Sequence, residues 1–333
     1  MIDEDPGIQY TSPVEFGGEA FDAYRAPQSD IEYLTPDIHI TEKSSPTPPP
    51  RVWPAIVAGI GTLPLSFVIS LTVLLICMFA SLNPAQMRNP GYLQAWLSDF
   101  TTSKLGIIVL SLPGQLTFLG VACLGAWLSP TPFRERLKLV PGTMPVWTWP
   151  LLALSCPGMG ALSSLVMSLF FDEAGEALEM LENMFRSAHG WFLVVLLGLV
   201  AVLPGLSEEG LFRGYVQSRL LQRMPAWGAI GLSSVLFSIA HLDPLHVLAV
   251  FPLGVWLGII AWRCNSIWPG VMGHMVNNAI SIVMTHYSNA KGFEFEADGP
   301  SIALVVVSGT ALVASVALLV VHRPKEPKLR TAY

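Results

Sequence analysis

Three clusters of ionisable and carboxamide side chains interrupt an otherwise apolar chain. The first is Ser207-Glu208-Glu209-Gly210-Leu211-Phe212-Arg213. Glu209 and Arg213 are four apart, so on a helix they share a face and can pair. Glu208 projects about 100° away and is free for other work. The second cluster, Phe237-Ser238-Ile239-Ala240-His241, places one histidine on an apolar helix. The third, His274-Met275-Val276-Asn277-Asn278, sets His274 and Asn278 one helical turn apart and facing the same way. Hydrolysis of a peptide bond needs a nucleophilic water, a base, and donors for the tetrahedral oxyanion. Glu208 with His241 supplies the first two, and His274 with Asn278 the third. Each cluster also has a plainer reading: the polar end of a membrane helix, a hydrogen-bonded packing histidine, and an interhelical hydrogen-bonded pair.

The elements that must position these groups lie in lipid. The chain has 333 residues, is 52% hydrophobic and only 13% charged, where soluble domains average about 25% charged residues. A bilayer core needs about 20 apolar residues per helix. Eight runs qualify: 54–82, 105–128, 147–171, 190–207, 226–242, 245–262, 266–288 and 301–321. The fold class is therefore an all-α polytopic membrane protein of about eight transmembrane helices. The runs 54–82, 105–128, 147–171 and 301–321 contain no Asp, Glu, Lys, Arg or His. The ionisable groups at membrane depth are confined to the middle of the chain, where burying them is costly and function is the default explanation. His246 lies just past the turn at Asp243-Pro244 and His286 near the outer end of its helix, so both read as interfacial.

Residues 1–50 are polar and acidic and end in Ser-Ser-Pro-Thr-Pro-Pro-Pro, the composition of a disordered cytoplasmic tail. Residues 51–322 form the transmembrane domain and 323–333 a second cytoplasmic tail. The first thirty residues lack the apolar core of a signal peptide. The net charge of -6 argues against a nucleic-acid partner. Cys77, Cys123, Cys156 and Cys264 lie in or beside apolar runs without paired spacing, and read as small buried apolar residues. Leu178, Leu181 and Phe185 have the spacing of an amphipathic helix on the membrane surface. Gly254 and Gly258 suit close helix packing and carry no functional information of their own.

Simple hydropathy places Glu208 near the inner face and His241 near the outer, too far apart to meet. The conflict disappears if the helix starting near 190 continues to about Arg223. At 1.5 Å per residue, both side chains then lie roughly 22–27 Å from the same turn. Leu211, Phe212, Tyr215, Val216, Leu220 and Leu221 give that extension an apolar face, and Pro204-Gly205 marks a kink before the glutamates.

Glu-Glu-x-x-x-Arg, Phe-x-x-x-His and His-x-x-x-Asn, in this order on separate membrane helices, resemble the motifs of the CPBP family. That family comprises type II CAAX prenyl endopeptidases and bacteriocin-processing or immunity proteins. The resemblance spans roughly 190–288. It implies an intramembrane peptidase core in which Glu208 activates water, His241 helps hold it, His274 and Asn278 stabilise the oxyanion, and Glu209 with Arg213 orients Glu208. The family has been described both as metalloproteases and as metal-free glutamate proteases. Glu208, His241 and His274 also have the chemistry of a zinc site with an open position. No His-Glu-x-x-His run is present, which excludes a zincin-type site, and with no Gly-x-Ser-x-Gly run and no cysteine beside these groups the serine and cysteine protease readings are weaker.

The expected activity is endoproteolysis of a membrane-associated protein or peptide in a cell membrane. Two other classes fit part of the pattern: a non-catalytic immunity or chaperone-like membrane protein, and a proton-coupled transporter. Transporters often show internal repeats, and none is evident here.

With the N-terminus inside, 14 of the 18 Lys and Arg residues fall on cytoplasmic segments, the others being Arg88, Lys104, Arg186 and Lys291. Both termini are then cytoplasmic. Cysteine labelling is expected to place Arg134–Lys138 and the C-terminus on the same face. Finding them on opposite faces overturns the helix count.

Overall fold

Caps and prolines in the sequence set most helix starts. Asn89, Ser103, Asp243 and Asp298 each accept a hydrogen bond from a first-turn backbone N–H, and Pro90, Pro244 and Pro300 occupy first-turn positions where a missing N–H costs nothing. The computed structural model describes residues 51–171, 175–287 and 298–322. Both terminal tails and the loop at Glu294 lie outside them. Among the described residues every element is helical. The main helices are α1 (Trp53–Ser81), α2 (Pro90–Thr102), α3 (Lys104–Trp127), α4 (Trp149–Ser168) and α5 (Glu176–Ser187). They continue as α6 (Trp191–Leu220), α7 (Ala226–Ile239), α8 (Pro244–Cys264), α9 (Trp268–Tyr287) and α10 (Gly299–Val321).

Six of these helices, rather than eight, are long and apolar enough to cross a membrane: α1, α3, α4 with its preceding turn, α6, α8 and α10. The difference has two causes. Helix α7 has 14 residues, about 21 Å at 1.5 Å per residue, against a hydrocarbon core of about 30 Å. Helix α9 has 20 residues, but His274, Asn277, Asn278 and His286 dilute its apolar character. The chain is a multi-pass membrane protein in which these two helices pack within the bundle.

The expected extension past residue 207 is present, and α6 runs continuously for 30 residues. It lies at the centre. Its Leu211, Phe212, Tyr215, Val216 and Leu220 pack with Ala55 of α1, Phe118 and Ala122 of α3, and Leu236 and Phe237 of α7. A second core joins Leu152 and Cys156 of α4 to Leu253, Trp256, Leu257 and Ile260 of α8 and Leu319 of α10. Helix α5 is amphipathic, as its spacing predicts. Phe185 joins Phe192, Leu196 and Ile282 in a third cluster that fastens α5 over α6 and α9. Arg136, in the loop before α4, is buried, stacks on Tyr215, and donates to Ser218 Oγ at 2.7 Å and the Tyr215 carbonyl at 3.0 Å. Burial lowers its pKa to about 10, which leaves it charged at neutral pH. Cys156 and Cys264 are buried, while Cys77 and Cys123 are half-buried.

Gly254 and Gly258 do more than let helices approach. Their carbonyls accept from Arg213 Nη2 at 2.9 Å and Gln217 Nε2 at 2.8 Å. A Cβ at Gly254 would stand 2.9 Å from the Phe237 ring, and one at Gly258 2.8 Å from Gln217 Oε1. The pair thus joins close packing to the backbone contacts of Arg213 and Gln217. Gly254→Val is expected to lower stability by about 1–3 kcal/mol through overpacking. The control Gly231→Ala meets open space and should leave stability unchanged or raise it by up to about 1 kcal/mol. Thermal unfolding of the purified variants in detergent checks both, and equal melting temperatures would refute the close contact at Gly254.

Candidate active site

The site is built on an irregular backbone. Helix α6 widens into π-helical turns at Leu197–Val202 and again at Glu209–Gln217, with α-helical turns between. Such turns leave backbone groups in need of other partners and recur at functional sites. Pro204 has no N–H to donate to the Val200 carbonyl one turn back. Asn278 Nδ2 reaches that carbonyl at 2.8 Å, and Asn278 Oδ1 accepts from Asn277 Nδ2 at 3.1 Å. In this arrangement Asn278 ties α9 to the kink in α6. Ser233 Oγ of α7 likewise donates to the Phe212 carbonyl at 2.8 Å.

The expected pair forms. Arg213 Nη1 donates to Glu209 Oε1 at 2.7 Å, with both side chains fully buried. The guanidinium lies over the Phe237 ring at 4.2 Å. Glu209 Oε1 also meets His274 Nδ1 at 3.0 Å, so the first and third clusters join. Since an ionised carboxylate only accepts, Nδ1 carries the proton and the neutral ring presents an Nε2 lone pair. That nitrogen stands 3.9 Å from Glu208 Oε2. Glu208 Oε1 is held by Gln115 Nε2 of α3 at 3.0 Å, while its buried Oε2 has no hydrogen-bond partner among the described residues. A buried acceptor left open in this way calls for an explanation such as substrate, water or catalysis.

His241 is not on the helix. Helix α7 ends at Ile239, and His241 follows in a turn whose next residue, Leu242, has φ 63°. Its Nδ1 faces the Phe237 carbonyl at 3.2 Å, a C-terminal capping contact that also directs Nε2 away from the helix. The Phe237 ring touches His241 on one side and His274 on another, with centroids 5.2 and 5.8 Å away. The second cluster thus approaches the other two through Phe237.

Three residues outside the sequence-derived set belong to these surroundings. Gln115, the only carboxamide in α3, holds Glu208. His246 stacks edge-on against His241 at 4.7 Å. Cys156 packs so closely on α9 that a Cβ on Gly273 would come 2.4 Å from its sulfur. Spacing could not link Cys156 to the site, because it comes from α4. By contrast His286 lies away from the cluster, its Nδ1 against the Phe185 carbonyl at 2.9 Å.

The donor set suits zinc in one respect. His274 and His241 both have Nδ1 against an acceptor and Nε2 turned outward, the usual state of metal-ligating imidazoles. However, among the described residues no three His, Cys, Asp or Glu side chains converge as a set able to hold a metal ion.

Removing Arg213 would leave Glu209 as a buried, uncompensated carboxylate. Arg213→Ala is expected to lose about 3–5 kcal/mol of stability along with activity. Arg213→Lys should restore little, because one guanidinium spans both Glu209 and the Gly254 carbonyl. Unfolding and cleavage assays on both variants check this, and wild-type melting of the alanine form would contradict the buried pair.

Comparison with known proteins agrees with this geometry. Residues 190–280, which hold all three clusters, match the family model described as type II CAAX prenyl endopeptidase Rce1-like. No curated protein and no solved structure matches the chain. The stretch that carries Glu208, Glu209, Arg213, His241, His274 and Asn278 is thus similar to the Rce1-like type II CAAX prenyl endopeptidase domain.

Proposed function

We propose that the protein is an intramembrane endopeptidase that cuts a membrane-associated protein or peptide, with Glu208 as general base. The carrying observation is the open Glu208 Oε2, buried and 3.9 Å from His274 Nε2. A water bridging these two atoms would be polarised from both sides. Its oxygen bonds to the scissile carbonyl carbon as its proton passes to Glu208. When the C–N bond breaks, Glu208 returns that proton to the leaving amine. With Nδ1 protonated toward Glu209, neutral His274 accepts from that water at Nε2, so the oxyanion donor must come from another group. The second hydrogen of the Asn278 amide remains for that task. The family's name makes a prenylated CAAX peptide one substrate to include among the membrane peptides assayed.

Glu208→Gln keeps size and hydrogen bonding but removes the base. It is expected to lower turnover by about 10²–10⁴-fold while folding and insertion survive, since a neutral amide costs less to bury than a carboxylate. A well-folded variant cleaving a verified substrate at the wild-type rate would falsify the mechanism.

The tautomers of His241 and His274 favour a second, zinc-assisted reading, although among the described residues the three candidate ligands do not converge as a metal-binding set. Glu208, His241 and His274 would hold zinc, which supplies a more acidic bound water and polarises the carbonyl. Chelation separates the two. Direct glutamate catalysis predicts little effect. The zinc reading predicts lost activity that zinc restores, and stoichiometric zinc lost from His241→Ala.

A further inference from the structure

The proposed base is held from a helix that none of the three motifs reaches. Helix α3 is apolar along most of its length, and a carboxamide within it is costly unless its groups are paired. Gln115 is paired at both ends. Its Nε2 donates to Glu208 Oε1 at 3.0 Å, and its Oε1 accepts from the Ser207 hydroxyl. The amide orientation follows from these partners: reversing it would set Gln115 Oε1 against a carboxylate oxygen. Ser207 Oγ is fully buried and also lies 2.8 Å from the Leu203 carbonyl, so the hydroxyl sits between two acceptors on the α-helical turn before Glu208. Gln115 thereby bridges two consecutive residues of α6 and fixes which Glu208 oxygen is occupied.

We infer that Gln115, seated by Ser207, is a positioning residue for the proposed hydrolysis: it engages Glu208 Oε1 and so keeps Oε2 open toward His274. A freely rotating carboxylate would exchange its oxygens and lose the bridging geometry, and a displacement of about 1 Å can cost about 10²-fold in rate. The bond is partly buried, and lower local polarity strengthens it. This role rests on the reading of Glu208 as base, and it concerns turnover rather than substrate affinity.

The test is steady-state cleavage of a verified membrane peptide by full-length protein in detergent or bilayer. Gln115→Met keeps length and volume while removing both amide groups. It is expected to lower kcat by about 10- to 100-fold with KM changed by less than about two-fold. Combined with Glu208→Gln it should lower kcat by no more than about two-fold beyond Glu208→Gln alone, because the oriented base is already gone. A purely structural glutamine would instead slow the double variant by its full factor. A folded Gln115→Met protein with kcat within about two-fold of wild type, or that additive double variant, overturns the inference.

If Gln115→Met does not fold, Ser207→Ala decides. It keeps the glutamine and removes the hydroxyl that seats it. It is expected to lower kcat by about 2- to 10-fold, the worth of one hydrogen bond, with unchanged KM. Wild-type kcat in folded Ser207→Ala overturns the proposal. Wild-type turnover in Glu208→Gln removes the parent mechanism and this role together, whereas an inactive Glu208→Gln beside a fully active Gln115→Met removes this role alone.

Discussion

The site depends on one buried ion pair. Glu209 and Arg213 have no exposed side-chain surface, and two unpaired charges at that depth would not be tolerated. Partners from three neighbouring helices meet them, although Glu209 Oε2 and Arg213 Nε have no hydrogen-bond partner among the described residues. Arg213 reaches the α8 backbone at Gly254 and lies against the Phe237 ring of α7, while Glu209 accepts from His274 of α9. A single pair thus fixes four helices against one another. It also sets the histidine tautomer, since Glu209 can only accept at Nδ1. Removing the pair would take away the core contact of the bundle and the orientation of the imidazole together.

The irregular backbone of α6 is a second consequence of the same sequence. Two π-helical stretches flank Glu208. Neighbouring helices supply polar groups where the main chain needs them: Asn278 at Val200, Ser233 at Phe212, and Arg136 at Tyr215. In a membrane, irregular backbone persists only where other protein groups satisfy it. The small residues opposite, Gly254 and Gly258, bring the α8 carbonyls within reach of Arg213 and Gln217. Packing and chemistry therefore share residues, and several side chains with catalytic types also hold the fold.

Much of this was legible in the sequence. Four-residue spacing announced the Glu209–Arg213 pair, and the depth conflict between Glu208 and His241 required the long α6 that the structure contains. The similarity to the Rce1-like domain was readable from three short motifs. Other features depend on tertiary partners. Of the eight apolar runs, six appear among the described residues as helices long and apolar enough to cross a membrane, because α7 is short and α9 carries polar side chains. Gln115 was passed over because an uncharged side chain does not stand out among ionisable ones, although a carboxamide inside an apolar helix is itself a signal. His241 appeared to be helical because spacing from Phe237 does not reveal that the helix ends at Ile239. The contact between His246 and His241 was not legible because it closes across a turn containing Leu242 at positive φ.

The tautomers carry the last step. A backbone carbonyl faces Nδ1 of His241 and a carboxylate faces Nδ1 of His274, and neither oxygen can donate. In their neutral forms both imidazoles therefore offer lone pairs at Nε2, where oxyanion stabilisation requires a proton. A lone pair can orient water by accepting from it, or bind a metal. An oxyanion donor requires a second proton on the ring, and Glu209 beside His274 is the group that would face the resulting charge. The Asn278 amide has one hydrogen committed to Val200, so it can contribute only its other one. On the proposed reading, neutral His274 joins Glu208 on the water side of the reaction, and the charge developing on the carbonyl oxygen falls to the remaining Asn278 hydrogen unless the ring gains a second proton.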